Sequence, residues 1–458
     1  MRSIGARATM AAFRRSIQRC GVQLFPGDQE VDMLQRKPLP SSSRARVSRR
    51  EFFGAALLGG VAGGCASRGS AAPARMVDAE AAAAASQALN DNIYTRMLGL
   101  KPHLAAFDHI TALGGSRMPD EVMQAMIEAN EHFVDMAELT RAAGERLARI
   151  VGSEAALVTC GSFSALLLGA AACLTGTDPD KIEALPHPTW AKRDCLIQTP
   201  HRFAYDRAYR AAGMPIVEAE TREQFAAAVG PNTAMMAVVA RLDYERADQP
   251  EVMKSGEFLE LGRRAGVPVL IDAAAEIPPA STLTRWSDEG ADLVVISGGK
   301  GIRGPQSTGI LAGRADLIEA ATLNASPNAN VGRGMKVGKE EIIGFLVALD
   351  RYTALDHDRV RDEWSRKAQY IADELRGIRG LVVEPVMHPK GHPQVELQWD
   401  ESDIRLTPAD VREALKNGDP RVALTGRRIS TRCLRDGEEI LVARRVRQFF
   451  LDDARRLS

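Results

Sequence analysis

The stretch that most limits how this chain can fold runs from Leu293 to Leu311. The apolar run Leu293-Val294-Val295-Ile296 predicts a buried strand, being short and closed by glycines. Ser297-Gly298-Gly299 turns the chain, a single lysine follows at Lys300, and Gly301-Ile302-Arg303-Gly304-Pro305 leads into a second apolar run, Gly309-Ile310-Leu311. Small residues on either side let another body approach the backbone, and they hold Lys300 at a strand end rather than on a helix face. A lysine held there can form a Schiff base with a carbonyl cofactor; the alternative is an exposed turn lysine.

Two upstream segments favour the first reading. Pro268-Val269-Leu270-Ile271-Asp272 predicts a buried strand ending in an acid, twenty-eight residues before Lys300 (300 − 272). An acid so placed is the pattern of pyridoxal-phosphate enzymes with the aminotransferase-like fold. The carboxylate there pairs with the protonated pyridine nitrogen, so that the ring accepts electrons. Further upstream, the strand Ala155 to Thr159 runs into Cys160-Gly161-Ser162-Phe163-Ser164 and a helix from Ala165 to Leu174. Free backbone N–H groups and the helix dipole converge at such a start, and a serine hydroxyl adds a donor, which suits an anion. The competing reading of Ser162 is an ordinary N-cap.

The rest of the chain repeats strand and helix. Pro119 opens a helical region with Val122, Met126, Ile127, Phe133, Leu139, Leu147 and Ile150 on its apolar face. Strands are predicted at Asp194 to Pro200 and Ala234 to Ala240, and a helix at Phe258 to Ala265. This order gives an α/β fold with a mostly parallel sheet, helices on both faces and the chemistry at the strands' carboxyl ends. After the loop Asn324 to Gly334 come helices Glu340 to Leu355 and Arg359 to Arg376. Strands Leu381 to Pro385 and Gln394 to Trp399, a helix Pro408 to Asn417, a strand Arg427 to Cys433 and a helix Glu438 to Leu451 complete a small C-terminal α/β domain. The expected boundaries are 1–75 for a signal and linker, 76–118 for an N-terminal arm, 119–330 for the large domain and 331–458 for the small one.

Leu113-Gly114-Gly115-Ser116, Phe133 to Leu139, Glu154 to Thr159, Asp272 to Pro279, Ser297 to Leu311 and Met335 to Glu341 together resemble the bacterial selenocysteine synthase (seryl-tRNA selenium transferase) family. The chain is most similar to its D-glucosaminate-6-phosphate ammonia-lyase-like branch. The resemblance implies the aminotransferase-like fold (fold type I) with pyridoxal 5'-phosphate as cofactor. In that pattern Lys300 carries the Schiff base, Asp272 faces the ring nitrogen, and Gly161, Ser162, Phe163 and Ser297 hold the phosphate. His201 is expected to stack on the ring; the alternative is a surface histidine beside Arg202. Ser116, Arg333 and Lys336 are expected to face the substrate, with solvated charge as the alternative for the last two. Pro305-Gln306-Ser307-Thr308 is expected to approach a partner subunit, giving a homodimer or larger homo-oligomer with its site at the interface. Where the family has Asn-Ala-x-Gly, this chain has Phe107-Asp108-His109-Ile110-Thr111.

The implied reaction is α,β-elimination of the ammonia-lyase type on an amino acid or amino-sugar acid, with Lys300 shuttling the α-proton. The alternatives are a transferase, aminotransferase or racemase on the same fold, and a non-catalytic exported scaffold that retains it.

Charge and cysteines bear on partners. The chain holds 59 basic and 59 acidic residues. Residues 1–75 carry thirteen Lys/Arg against four Asp/Glu, which leaves the remainder at −9. An acidic body argues against a nucleic-acid partner, because phosphate contacts need a basic face. Ser48-Arg49-Arg50-Glu51-Phe52-Phe53, followed by the small and apolar run Gly54 to Gly64, reads as a twin-arginine export signal. Ala62-Gly63-Gly64-Cys65 resembles a lipoprotein cleavage box, which would make Cys65 a lipid anchor in a periplasmic or membrane-anchored protein. Met33 offers an alternative start. Six cysteines (Cys20, Cys65, Cys160, Cys173, Cys195, Cys433) show no CxxC or Cys/His clustering, so no metal site is expected.

Overall fold

A computed structural model describes residues 72–453 of the chain. The export signal and Cys65 lie outside the described residues.

Among the described residues, twelve strands form three sheets: β1 (His103–Ala105), β2 (Ala155–Thr159), β3 (Asp194–Gln198), β4 (Ile216–Ala219), β5 (Thr233–Val239), β6 (Val269–Asp272), β7 (Leu293–Ser297), β8 (Gly309–Gly313), β9 (Leu381–Met387), β10 (Pro393–Trp399), β11 (Arg421–Ala423) and β12 (Arg428–Ser430). The central sheet has seven strands in the order β2-β8-β7-β6-β5-β3-β4. Only β8 is reversed, antiparallel to both β2 and β7, while the other neighbours pair in parallel. The short glycine-rich link from Ser297 to Gly309 dictates this. A parallel return needs a crossover of a dozen or more residues, usually a helix.

The alternation within each apolar run explains the two covered faces. Val294 and Ile296 of β7 join the core cluster that includes Phe258, Trp286 and Phe345. Leu293 and Val295 join the opposite cluster with Leu166 and Ile318. Successive side chains of a strand point to opposite faces, so a continuous apolar run is what a sheet buried on both sides requires.

The helical region after Pro119 divides into helices Asp120–Asn130 and Met136–Val151. The Asp135 carboxylate caps the second by accepting from the backbone N–H groups of Ala137 and Glu138, and Gly152 ends it in a left-handed conformation. Phe133, placed by periodicity on the buried face, lies in this break and is fully exposed.

The domain boundaries shift in two places. Helix Lys339–Thr353 buries Ile342, Phe345, Leu349 and Tyr352 in the large core, so the large domain extends past residue 331. The small core is built from helix His357–Leu375, β9, β10 and helix Glu438–Gln448, and it takes in Leu104 and Ala106 of the arm. The arm enters through β1, which pairs in parallel with β11. No helix among the described residues is long and apolar enough to cross a membrane.

Candidate active site

The sheet register aligns the ends of four strands. Gly309 opposes both Thr159 at the end of β2 and Ser297 at the end of β7. Asp272, at the end of β6, pairs with Val295 on one side and Val239 on the other. The Gly161-Ser162 turn, the Lys300 loop, Asp272 and the segment from Arg241 onward therefore leave the same carboxyl edge, where open α/β sheets bind their ligands. Gly309 permits this: a Cβ there would lie 2.8 Å from the backbone of Gly161.

Helix Gly161–Thr175 differs from its capped neighbours, because Cys160 at its N-cap makes no side-chain hydrogen bond. Its first N–H groups are therefore free for an anion. Ser162 does not act as the cap either, and its Oγ is buried with no partner. A buried hydroxyl without a partner is costly and points to a ligand that completes it. Phe163, one residue on, is exposed. Ser297 is buried at the end of β7, three residues before Lys300.

Asp272 is buried, and one carboxylate oxygen accepts the N–H of Ala274 at 3.0 Å. Burial raises its pKa, opposed by that hydrogen bond and by the charges of Lys300 and Arg241. A cationic ring nitrogen would add the charge partner that this carboxylate lacks. Lys300 is half-buried, and its amine makes no hydrogen bond. Burial lowers its pKa, against the opposing pull of Asp272, Asp108 and Glu276. Desolvation favours the neutral amine, the nucleophilic form.

The turn at Ser116 packs against this loop. A Cβ on Gly115 would meet Gly299 O at 2.7 Å and overlap Gln306 Oε1. Ser116 Oγ is buried without a partner. The arm thus reaches the lysine loop.

One expected site residue has another role. His201 is buried, with both ring nitrogens committed: Val239 N–H donates to Nδ1 at 3.1 Å, and Nε2 donates to Met253 O at 3.0 Å. Its ring meets the edge of Phe258 at 5.0 Å between centroids. It ties β5 to the following loop and offers no face for stacking, because the end of β5 leaves backbone groups that need a buried partner. Arg333 and Lys336 are exposed on a loop anchored where Gly332 N–H bonds Asn324 O.

Other residues lie around Lys300. Glu276, four beyond Asp272, is buried and accepts from Tyr244 Oη at 3.4 Å. Lys390, at the tip of the β9–β10 hairpin, donates to Ala275 O. Arg432, buried after β12, bonds Asp108 Oδ2 at 3.1 Å and Ile277 O at 3.1 Å. Burial would raise the Asp108 carboxyl, but the His109 hydrogen bond and the Arg432 charge hold it well below the carboxylate range. Folding also gathers donor atoms of Asp108, His109 and Cys433 within 4.8 Å of one another. Asp108 is committed to an ion pair with Arg432 and a hydrogen bond with His109, linking arm and small domain, and burial pushes the neighbouring Cys433 thiol up to about 12. The four described cysteines are all free. The only sequence signals for these residues were the altered segment Phe107 to Thr111 and the acid in Asp272 to Glu276.

A mostly parallel sheet with a lysine, an acid and an open helix N-terminus at its carboxyl edge defines a pyridoxal-phosphate enzyme of the aminotransferase-like class. Known proteins make this specific. Residues 108–363 match the family of L-seryl-tRNA selenium transferase, and the chain belongs to that family. It is 32% identical over 375 residues to the 5'-C-glycyluridine monooxygenase-decarboxylase of a Streptomyces species, covering 78% of this chain and 91% of that one. It is 27% identical to the D-glucosaminate-6-phosphate ammonia lyase of Salmonella typhimurium, covering 79% of this chain and 98% of the relative. A solved D-glucosaminate-6-phosphate ammonia-lyase superposes with a TM-score of 0.66 at 25% identity, over 79% of this chain and 98% of the other. The cofactor is pyridoxal 5'-phosphate, and the site described here fits it.

Proposed function

We propose that this protein is a pyridoxal-phosphate-dependent lyase that releases ammonia from an amino acid or amino-sugar acid. The observation that carries this is the juxtaposition of a desolvated Lys300 with buried Asp272 and the uncapped helix start at Ser162. The bound cofactor supplies an electron sink at the substrate's α-carbon. Lys300 holds the cofactor and then moves the α-proton. Asp272 keeps the ring nitrogen charged, and the Gly161-Ser162 turn fixes the phosphate. Likeness to the ammonia lyase over nearly its whole length supports elimination.

The test is the visible spectrum of the purified protein beside Lys300→Ala, followed by ammonia and 2-oxo-acid assays on amino-sugar acids and hydroxy-amino acids. A borohydride-sensitive band present only in the wild type, together with ammonia release, is expected. A protein that stays colourless after added pyridoxal phosphate refutes the reading. The relative at 32% identity favours a second reading, oxidative decarboxylation of an amino acid. Oxygen uptake with carbon dioxide release would distinguish it.

We also propose export by the twin-arginine route, on the strength of Ser48 to Phe53, with Cys65 as a lipid anchor. A reporter fusion of residues 33–75 that stays cytoplasmic when Arg49 and Arg50 become Lys tests this. We further propose a homo-oligomer with the site near Pro305 to Thr308; exposed Ile93, Tyr94, Met97, Leu98 and Leu100, which a second copy would cover, support the assembly. Light scattering at micromolar concentration tests the assembly.

A further inference from the structure

Glu276 has no role in the chemistry described so far, yet its setting is unusual for a carboxylate. It is buried at 8% exposure and forms no ion pair within 4.0 Å among the described residues. Its one side-chain hydrogen bond is the 3.4 Å contact from Tyr244 Oη. It leaves the same strand end as Asp272, and its charge is felt at Lys300. Lys390, hydrogen-bonded to the adjacent Ala275 carbonyl, is the nearby cation. Buried carboxyls without a close cation favour the protonated form, and two acids whose surroundings drive them apart take different parts in a reaction. Burial pushes Asp272 up as well, but the charges of Lys300 and Arg241 oppose this and the expected ring nitrogen would give it a direct cationic partner. Glu276 has the Tyr244 hydroxyl and the charge of Lys390, and burial pushes it up against both.

We propose that Glu276 is the general acid of the site, protonating the hydroxyl that leaves the substrate's β-carbon, with Tyr244 and Lys390 as its positioning residues. This rests on the lyase reading above and narrows it to β-hydroxy amino acids and amino-sugar acids. In the step, the α C–H bond breaks and its proton passes to the Lys300 amine. The electron pair forms the α,β double bond. The β C–O bond breaks, its electrons leave with the oxygen, and that oxygen takes the Glu276 proton to depart as water. The Glu276 carboxylate left behind is stabilised by the Tyr244 hydroxyl and the Lys390 ammonium. A proton from Lys300 or solvent restores it, so no outside reagent is consumed.

The test compares leaving groups. Wild type and Glu276→Gln holoenzymes are assayed for ammonia and 2-oxo acid with serine and β-chloroalanine in both enantiomers, and with D-glucosaminate. Chloride leaves without a proton, whereas hydroxide needs one. Loss of a general acid typically costs about 10²- to 10⁴-fold, so Glu276→Gln should fall by at least about 10²-fold on the hydroxy substrates. It should stay within a few-fold of wild type on β-chloroalanine. Equal loss on both, or no loss on either, overturns the assignment while leaving the lyase reading intact. No elimination by the wild type on any of these compounds overturns both. A readout free of turnover is the infrared C=O stretch of a protonated carboxyl in the cofactor-free protein at neutral pH. The wild type is expected to show a component of that band that Glu276→Gln loses; a band unchanged by the substitution also overturns the assignment.

Discussion

Replacing Arg432 by Leu should unfasten the small domain from the active site. The Arg432 side chain is 2% exposed and joins Asp108 of the arm to the carbonyl of Ile277, on the loop that follows Asp272. Leucine fills part of the volume but leaves Asp108, whose side chain is 29% exposed, without its charged partner. Removing one member of a buried pair costs about 3–5 kcal/mol. Partial solvation of Asp108 puts the expected loss near the lower end, about 3 kcal/mol. With about 2.1 cal/mol/K of unfolding entropy per residue, a chain of this length shifts by about 1 °C per kcal/mol, so the drop is roughly 3–4 °C. Differential scanning calorimetry at a fixed scan rate measures it. The double variant Asp108→Asn/Arg432→Leu should recover part of the loss, because the stranded charge is gone. A single variant melting within about 1–2 °C of the wild type, or a strictly additive double variant, refutes the assignment of Arg432 as the clamp.

Ser162→Ala should weaken cofactor binding by about 10- to 100-fold, the value of about 1.5–3 kcal/mol for a hydrogen bond to a charged group, measured by pyridoxal-phosphate titration; unchanged affinity would remove Ser162 from the phosphate site. His201→Leu should lower the melting temperature of the cofactor-free protein while leaving the absorbance maximum of the folded holoenzyme unshifted; a shifted maximum would restore the stacking role. His392 is fully buried, and burial and the Arg432 charge lower its pKa to about 3, against an ordinary 6.5. The folded protein therefore binds fewer protons than the unfolded chain between those values, so its stability is full above 6.5 and falls as the pH drops toward 3. The loss from this group is about 2 kcal/mol at pH 5. Denaturant unfolding at pH 7 and pH 5 should show a gap that shrinks in His392→Gln, and an unchanged gap would refute the attribution.

The chemistry legible from sequence was local. Lys300, Asp272 and Ser162 each sit at the end of a short apolar run beside small residues. A run of four apolar residues closed by glycine has few places to go except the buried middle of a sheet. Alternation along that run sends Leu293 and Val295 to one core and Val294 and Ile296 to the other. Once the sheet is parallel, strand ends meet at one edge, so residue spacing alone was enough to bring the lysine, the acid and the open helix start together.

Residues that tertiary structure alone could place come from separate elements or serve two ends at once. His201 carries a side chain suited to stacking, yet the unpaired N–H of Val239 and carbonyl of Met253 claimed both its nitrogens. Arg333 and Lys336 have the right charge for a substrate, and the structure leaves both side chains exposed on the loop that Gly332 anchors. Asp108 and Arg432 lie 324 positions apart, and Lys390 reaches Ala275 across 115. Periodicity reports which face of an element is buried, because burial follows the geometry of one strand or helix. It is silent on which side chains meet when the arm and the small domain dock. That choice depends on shape and charge summed over surfaces from distant parts of the chain, and it decided the surroundings of Glu276.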